Sequence, residues 1–391
     1  MRRPLLMIPG PIEVSDAVLA AAAVPPPSHL DPALIEDFGR ALRAMRAVWL
    51  AAPEAQPFAV AGGGTLAMES AAVNLLDPGQ RAVLVNTGTF GDRMAEMLRR
   101  RGVEVVEVGG PPGEAPSLDA VAAAADAAPC RALFATHVDT STGVRVDAAG
   151  LARLARERDL LSIFDGVCAT AAERFEMQAW DADVYLTASQ KAIGLPAGLA
   201  LWVASPRALE ARARLRTPPP LTLDWEAWRP IHQAYEEGRP SYFSTPPTTL
   251  LPALRVGLDE ILADGMEGRF ALHERTADAM RAAWSALGLS LVPRDAALAA
   301  NTLSALRYPP GVDAALLPRI KAHGAIVAGG LHAQIRDEYF RVGHMGVTVT
   351  RPEDLLATVR AVGLGLVDQG HACDVEAAVE ACRTALERDL P

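Results

Sequence analysis

Short apolar runs alternate with longer amphipathic segments through the first half of the chain. Runs of strand character at Phe58–Ala61, Ala82–Asn86, Glu104–Val108 and Ala132–Thr136 are each followed by apolar positions at helical spacing, over Thr65–Leu75, Phe90–Arg101, Ser117–Ala125 and Asp147–Arg158. Further runs follow at Leu161–Asp165, Asp183–Thr187 and Leu199–Val203. This alternation predicts a mostly parallel sheet with helices packed on both faces. Ligands of such sheets bind where the βα loops leave the carboxyl ends of the strands. Gly62–Thr65, Thr87–Phe90, His137–Gly143, Asp165 and Ser189–Lys191 all fall at or just after a predicted strand end. Five stations on one edge make one site.

The flanking segments read differently. Residues 1–14 carry Pro9-Gly10-Pro11 and form an extended arm. Helices are expected over Ser15–Ala23 and over Asp31–Leu50, where Leu34, Phe38, Leu42, Met45 and Trp49 share one face. From Leu209 to Tyr242 no alternation is evident, and the stretch reads as an excursion. Helices Thr248–Ala263 and Gly265–Leu287 lead to a mixed region with strands Thr302–Leu306, Ala325–Val327 and Tyr339–Val342, and with helices Asp313–His323 and Pro352–Leu366. The expected division is an arm (1–14), a large α/β domain (15–260) and a smaller α+β C-terminal domain (261–391).

Composition narrows the function. A length of 391 residues suits two or three domains, and half the residues are hydrophobic, as in a globular enzyme. The net charge of −10 argues against nucleic acid as a main partner, because phosphate neutralisation needs a basic face. Cys130, Cys168, Cys373 and Cys382 lack metal-site spacing and read as free thiols, so no metal is expected. No apolar run approaches the ~20 residues of a membrane span. The apolar patch near Met1 is too short for a signal peptide, so a cytoplasmic protein is expected.

Lys191, one of only two lysines, is the sole cationic side chain between Arg174 and Arg207, amid largely apolar sequence. Desolvation would lower its pKa and leave a neutral amine able to form a Schiff base; the plain alternative is a surface lysine at a strand end. Gly62-Gly63-Gly64-Thr65, opening a helix, could cradle a phosphate on backbone N–H groups, or could be a tight turn. Asp165 could bind a metal, act as a base, cap a helix or pair with a buried cationic nitrogen; beside a Schiff-base lysine, the last role fits pyridoxal phosphate. Phe90 could stack on a planar ring or be core. A Ser-His-Asp triad can be drawn from His137, Asp139 and Ser141, but no Gly-x-Ser-x-Gly elbow supports it. Arg341 could clamp a carboxylate or be a surface charge.

In this order the stations resemble the class V branch of fold-type I pyridoxal-phosphate enzymes, most closely the alanine–glyoxylate / serine–pyruvate aminotransferases. The resemblance spans nearly the whole chain. It rests on Leu6-Met7-Ile8-Pro9-Gly10-Pro11, Thr65 with Ala67-Met68-Glu69, Phe90-Gly91-Asp92-Arg93, Asp139-Thr140-Ser141-Thr142-Gly143 and Asp165-Gly166-Val167. Ser189-Gln190-Lys191-Ala192, Tyr242-Phe243-Ser244-Thr245-Pro246-Pro247 and Arg341-Val342-Gly343 complete it.

The resemblance implies a mostly parallel seven-stranded sheet and a homodimer using pyridoxal 5'-phosphate. Lys191 would carry the Schiff base and shuttle the proton between substrate Cα and cofactor C4′. Asp165 would hold the pyridine nitrogen protonated, Phe90 would stack on the ring, Ser141 would hydrogen-bond at it and Val167 would pack on its other face. Gly63, Gly64, Thr65 and Gln190 would bind the phosphate, though Gly63 replaces the serine common in relatives. Tyr242 and Thr245 would reach the neighbouring subunit's phosphate. Arg341 would grip the substrate carboxylate, with Gly10 and Ser141 lining its pocket. Gln190, where desulfurases carry histidine, points away from that branch. The implied reaction is ping-pong transfer from alanine or serine to an α-keto acid, glyoxylate or pyruvate. A 2-aminoethylphosphonate or ureidoglycine transaminase and a non-catalytic dimeric relative are the alternatives.

Overall fold

The computed structural model describes residues 3–388; Met1, Arg2 and residues 389–391 lie outside the described residues. Its central sheet has seven strands: β1 (Gln56–Ala61), β2 (Arg81–Asn86), β3 (Glu104–Gly109), β4 (Ala132–Thr136), β5 (Leu161–Asp165), β6 (Val184–Ala188) and β7 (Leu199–Ala204). They lie in the order β1-β7-β6-β5-β4-β2-β3. The pairs β2–β3, β2–β4, β4–β5 and β5–β6 are parallel, whereas β7 is antiparallel to both β6 and β1. Since β7 alone is reversed, β1 runs with the other five. The carboxyl ends of β1, β2, β4, β5 and β6 therefore share one edge, which carries all five polar stations.

Residue alternation explains why the sheet is covered on both sides. Val83, Val85, Leu133 and Ala135 join a core with Leu34, Phe38, Leu42, Met45 and Trp49. Their neighbours Ala82, Leu84, Ala132 and Phe134 face the opposite core, with Met68, Met94, Leu98, Trp202 and Trp225. The helix Pro32–Val48 starts where the Asp31 side chain accepts the Ala33 N–H at 2.9 Å.

The stretch from Leu209 to Tyr242 is more ordered than the sequence pattern suggests. It contains a helix, Trp225–Glu236, capped by Asp224 and enclosing Pro230. Proline within the turn hides the helix from a pattern reading. Burial supports it: Trp225 is fully buried and donates through Nε1 to Ser70 Oγ at 2.8 Å. Two further helices absent from the pattern reading are Pro206–Ala213 and Val375–Leu386.

A third core gathers Trp284, Leu287, Leu306, Phe340, Val342, Leu355 and Val359. A three-stranded antiparallel sheet frames it: β8 (Leu303–Arg307), β9 (Ala328–Gly329) and β10 (Tyr339–Gly343), with β10 in the middle. Phe340 and Val342 enter this core, so Tyr339 and Arg341 project from the other face of β10. The helix Met266–Ala286 belongs to two cores, with Met266 and Phe270 in the first and Ala279 to Trp284 in the third. Leu5–Leu6 pairs in parallel with Ala325–Ile326, and Met7 O accepts the Gly343 N–H at 2.8 Å.

Candidate active site

Lys191 follows β6 on a short turn and is 8 % exposed. Burial lowers its pKa, and the nearby Arg341 guanidinium acts in the same direction, against Cys168 and Asp165. Its Nζ donates to the Pro9 carbonyl of the N-terminal arm. Gly10 makes that approach possible: at φ +112° it occupies the left-handed region, and a Cβ there would stand 2.5 Å from Lys191 Cδ.

Asp165 ends β5 and is buried. One oxygen, Oδ1, accepts the Val167 N–H at 2.9 Å. The other, Oδ2, is buried with no hydrogen-bond partner among the described residues. Burial pushes this carboxyl up to about 7; the Val167 hydrogen bond opposes that, while Asp139 adds to it. A desolvated carboxylate with a spare oxygen invites a cationic or N–H-bearing guest.

The glycine turn closes against the same place. Gly63 caps the helix Gly64–Leu75 without a side-chain bond, so its first N–H groups stay free for an anion. A Cβ on Gly64 would stand 2.6 Å from Val167 Cγ2, which fixes the turn beside the Asp165-Gly166-Val167 segment. Thr65 Oγ1 accepts from Arg93 Nη1 at 3.1 Å, and the Arg93 guanidinium lies 4.8 Å from the centre of the Phe90 ring. Gln190 is half-buried, and its Oε1 has no partner among the described residues.

Asp139, which the sequence reading offers only as part of a motif and as the acid of the unsupported triad, organises the next wall. Its Oδ2 accepts the N–H groups of Phe90 and Gly91, at 2.9 and 3.3 Å, capping the helix Thr89–Arg100 from another loop. Its Oδ1 accepts from the Ser141 N–H at 2.9 Å and the Ser141 hydroxyl at 2.5 Å. Burial raises the Asp139 pKa against these four hydrogen bonds. An Asx-turn in Asp139-Thr140-Ser141 is the one signal that sequence offers for it. Ser141 Oγ also accepts the Thr89 N–H at 3.0 Å.

His137 is excluded from a hydrolase triad by its bonding. Its Nδ1 meets Tyr185 OH at 2.9 Å, and burial takes its pKa down to about 3.

Arg341, half-buried on β10, gives Nε to Gly329 O at 2.9 Å and Nη1 to Thr140 O at 3.2 Å. Both bonds go to backbone, so its charge is left for a guest anion. Burial lowers its pKa. Tyr242 and Thr245 stand apart from these stations. They bond to each other at 3.3 Å, Tyr242 is 61 % exposed against His29, and Thr245 borders a cavity of ≈ 200 Å³ shared with Ala61 and Leu66.

A buried amine, a carboxylate with an open oxygen, an anion-ready helix end and an arginine with a free side are the groups that a pyridoxal-phosphate transaminase calls for. Residues 34–305 match the family model described as aminotransferase class-V. The chain is 38 % identical to alanine–glyoxylate aminotransferase 1 of Saccharomyces cerevisiae, over 88 % of this chain and 92 % of that protein. It is 33 % identical to L-aspartate–glyoxylate aminotransferase of Paracoccus denitrificans, over 87 % and 86 % of the two chains. The solved structure of ureidoglycine–glyoxylate aminotransferase from Bacillus subtilis superposes with a TM-score of 0.92 at 22 % identity, covering 99 % of both chains. The chain belongs to the class V aminotransferases, a pyridoxal-phosphate-dependent family with the fold-type I architecture. No helix among the described residues is long and apolar enough to cross a membrane.

Proposed function

We propose that this chain transfers the amino group of alanine or serine to glyoxylate by a ping-pong mechanism on pyridoxal 5'-phosphate, with Lys191 and Asp165 as its catalytic pair. The observation that carries the cofactor assignment is the buried, unpartnered Asp165 Oδ2, which suits the protonated ring nitrogen. Glyoxylate stands in the names of both the yeast and the Paracoccus relatives, which supports it as acceptor over pyruvate. Aspartate enters as a further donor to test, since the Paracoccus relative is named for it.

When bound, pyridoxal phosphate supplies the electron sink for the charge left as a proton departs from Cα. Lys191, whose pKa burial lowers, would provide the nucleophilic amine, and its Nζ would move that proton between substrate Cα and cofactor C4′. Asp165 would hold the ring nitrogen in its protonated form. Gly63, Gly64, Thr65 and Gln190 would hold the phosphate, Phe90 and Val167 would cover the ring, and Ser141 would hydrogen-bond at it. Arg341 grips the substrate carboxylate, and Gly10 leaves room beside Lys191. The same reading divides the chain into arm 1–14, large domain 15–260 and small domain 261–391. It also makes the protein a cytoplasmic homodimer in which Tyr242 and Thr245 serve the partner's phosphate. The exposure of Tyr242 supports that last assignment.

The test is a half-reaction screen. Protein loaded with pyridoxal phosphate is mixed in turn with alanine, serine and aspartate, and loss of the visible cofactor band is followed. Alanine or serine should react fastest, with glyoxylate restoring the band. A protein that stays colourless with added pyridoxal phosphate would refute the cofactor, and a preference for aspartate would correct the donor.

A further inference from the structure

Tyr339 sits two residues before Arg341 on β10, on the same face, with no exposed surface. Its hydroxyl accepts the backbone N–H groups of Leu331 and His332, at 2.9 and 3.0 Å, and donates to the Ser141 carbonyl. Arg341 repeats the pattern one step along, binding Gly329 O on one side and Thr140 O on the other. The two side chains thus stitch one strand of the small sheet to segment 329–332 and to turn 140–141 of the opposite wall. Ser141 belongs to the Asp139–Phe90 platform, so the phenol links that platform to the strand bearing the guanidinium.

A phenolic hydroxyl accepting two bonds and donating one is fully committed and offers nothing to a ligand. Its deletion leaves two N–H groups and a carbonyl short of partners, and they recover those bonds by moving. We propose that Tyr339 is a positioning residue for substrate-carboxylate recognition: it sets the spacing between Arg341 and the Thr140-Ser141 turn, and so aims the free side of the guanidinium into the site. This rests on the assignment of Arg341 to the substrate carboxylate made above.

Tyr339→Phe keeps the ring and removes only the hydroxyl. The full-length protein is titrated calorimetrically with oxamate, an unreactive keto-acid mimic, with and without pyridoxal phosphate. Thr358→Val serves as a control, because it removes a buried hydroxyl bonded to Asp354 O at 2.7 Å inside the helix Pro352–Asp368. Tyr339→Phe should weaken oxamate about tenfold and raise KM for glyoxylate by a similar factor, with kcat within about twofold and the cofactor band unmoved. Thr358→Val should lower Tm without changing oxamate affinity. In an Arg341→Ala background, loss of the hydroxyl should add little, since the two act through one contact.

A fall in Tm with unchanged oxamate affinity, additivity with Arg341→Ala, or a wild type that does not bind oxamate overturns the proposal. A wild type that binds oxamate but not pyridoxal phosphate overturns the cofactor reading instead. A hydroxyl-dependent loss of oxamate would then still support Tyr339.

Discussion

The two sides of the site treat their polar groups in opposite ways. On the edge of the large sheet, Asp165 keeps one buried oxygen without a partner among the described residues, and Lys191 donates to a backbone acceptor in Pro9. On the strand Tyr339–Gly343, the Tyr339 hydroxyl is committed three times over, and Arg341 spends two donors on backbone carbonyls. Unmet bonding capacity in a buried group costs free energy, so it persists where a ligand completes it. Met capacity marks scaffolding that aims a neighbour. The first side fits a cofactor that stays, and the second a substrate carboxylate that comes and goes.

Substitutions can break this contrast. The largest effect is expected on the unmet side: Lys191→Ala should remove the visible cofactor band and lower kcat by at least about 10⁴-fold. Next comes Asp165. Its folded pKa of about 7 lies above the ordinary 3.8, so the folded protein holds this proton more tightly than the unfolded chain does. The resulting stability is fully present below pH 4 and is lost as the pH rises through 7. It amounts to roughly 4 kcal/mol at most, at about 1.4 kcal/mol per pKa unit. Cofactor-free protein should therefore lose Tm across that window, and Asp165→Asn should flatten the profile. An identical profile in the variant would place the titration elsewhere.

On the met side, Arg341→Ala should raise KM for both carboxylate substrates about 10²-fold while sparing the cofactor band, as for loss of a charged bidentate contact. A shifted band with unchanged KM would reverse the two sides. The smallest effect is expected at Phe90→Leu, which loses ring stacking but keeps an apolar side chain. Cofactor affinity should fall only about threefold to tenfold, read from the dissociation constant of pyridoxal phosphate.

Much of this was legible in the chain because it is local. The short apolar runs of the central strands, buried end to end in β4 to β7, and the helical faces such as Leu34–Trp49 follow from residue spacing, and strand ends carrying Gly64, Asp165 and Lys191 follow from where the runs stop. Helix Trp225–Glu236 was not legible, because Pro230 breaks the helical pattern while Trp225 is held by Ser70, far away in sequence. Asp139 was read as part of a motif and not as the cap of another loop's helix.

The sequence by itself determined the α/β alternation, the one edge on which five stations meet, and the residue types suited to a phosphate, an amine and a carboxylate. Tertiary structure alone decided which bonds these groups make and which they leave open. Pro9 meets Lys191 across 182 residues and Tyr339 meets Ser141 across 198. A hydrogen bond needs its donor and acceptor within about 3 Å and suitably aligned. Periodicity specifies a residue's face, whereas partners so far apart in the chain meet only when the arm, the large sheet and strand β10 pack together.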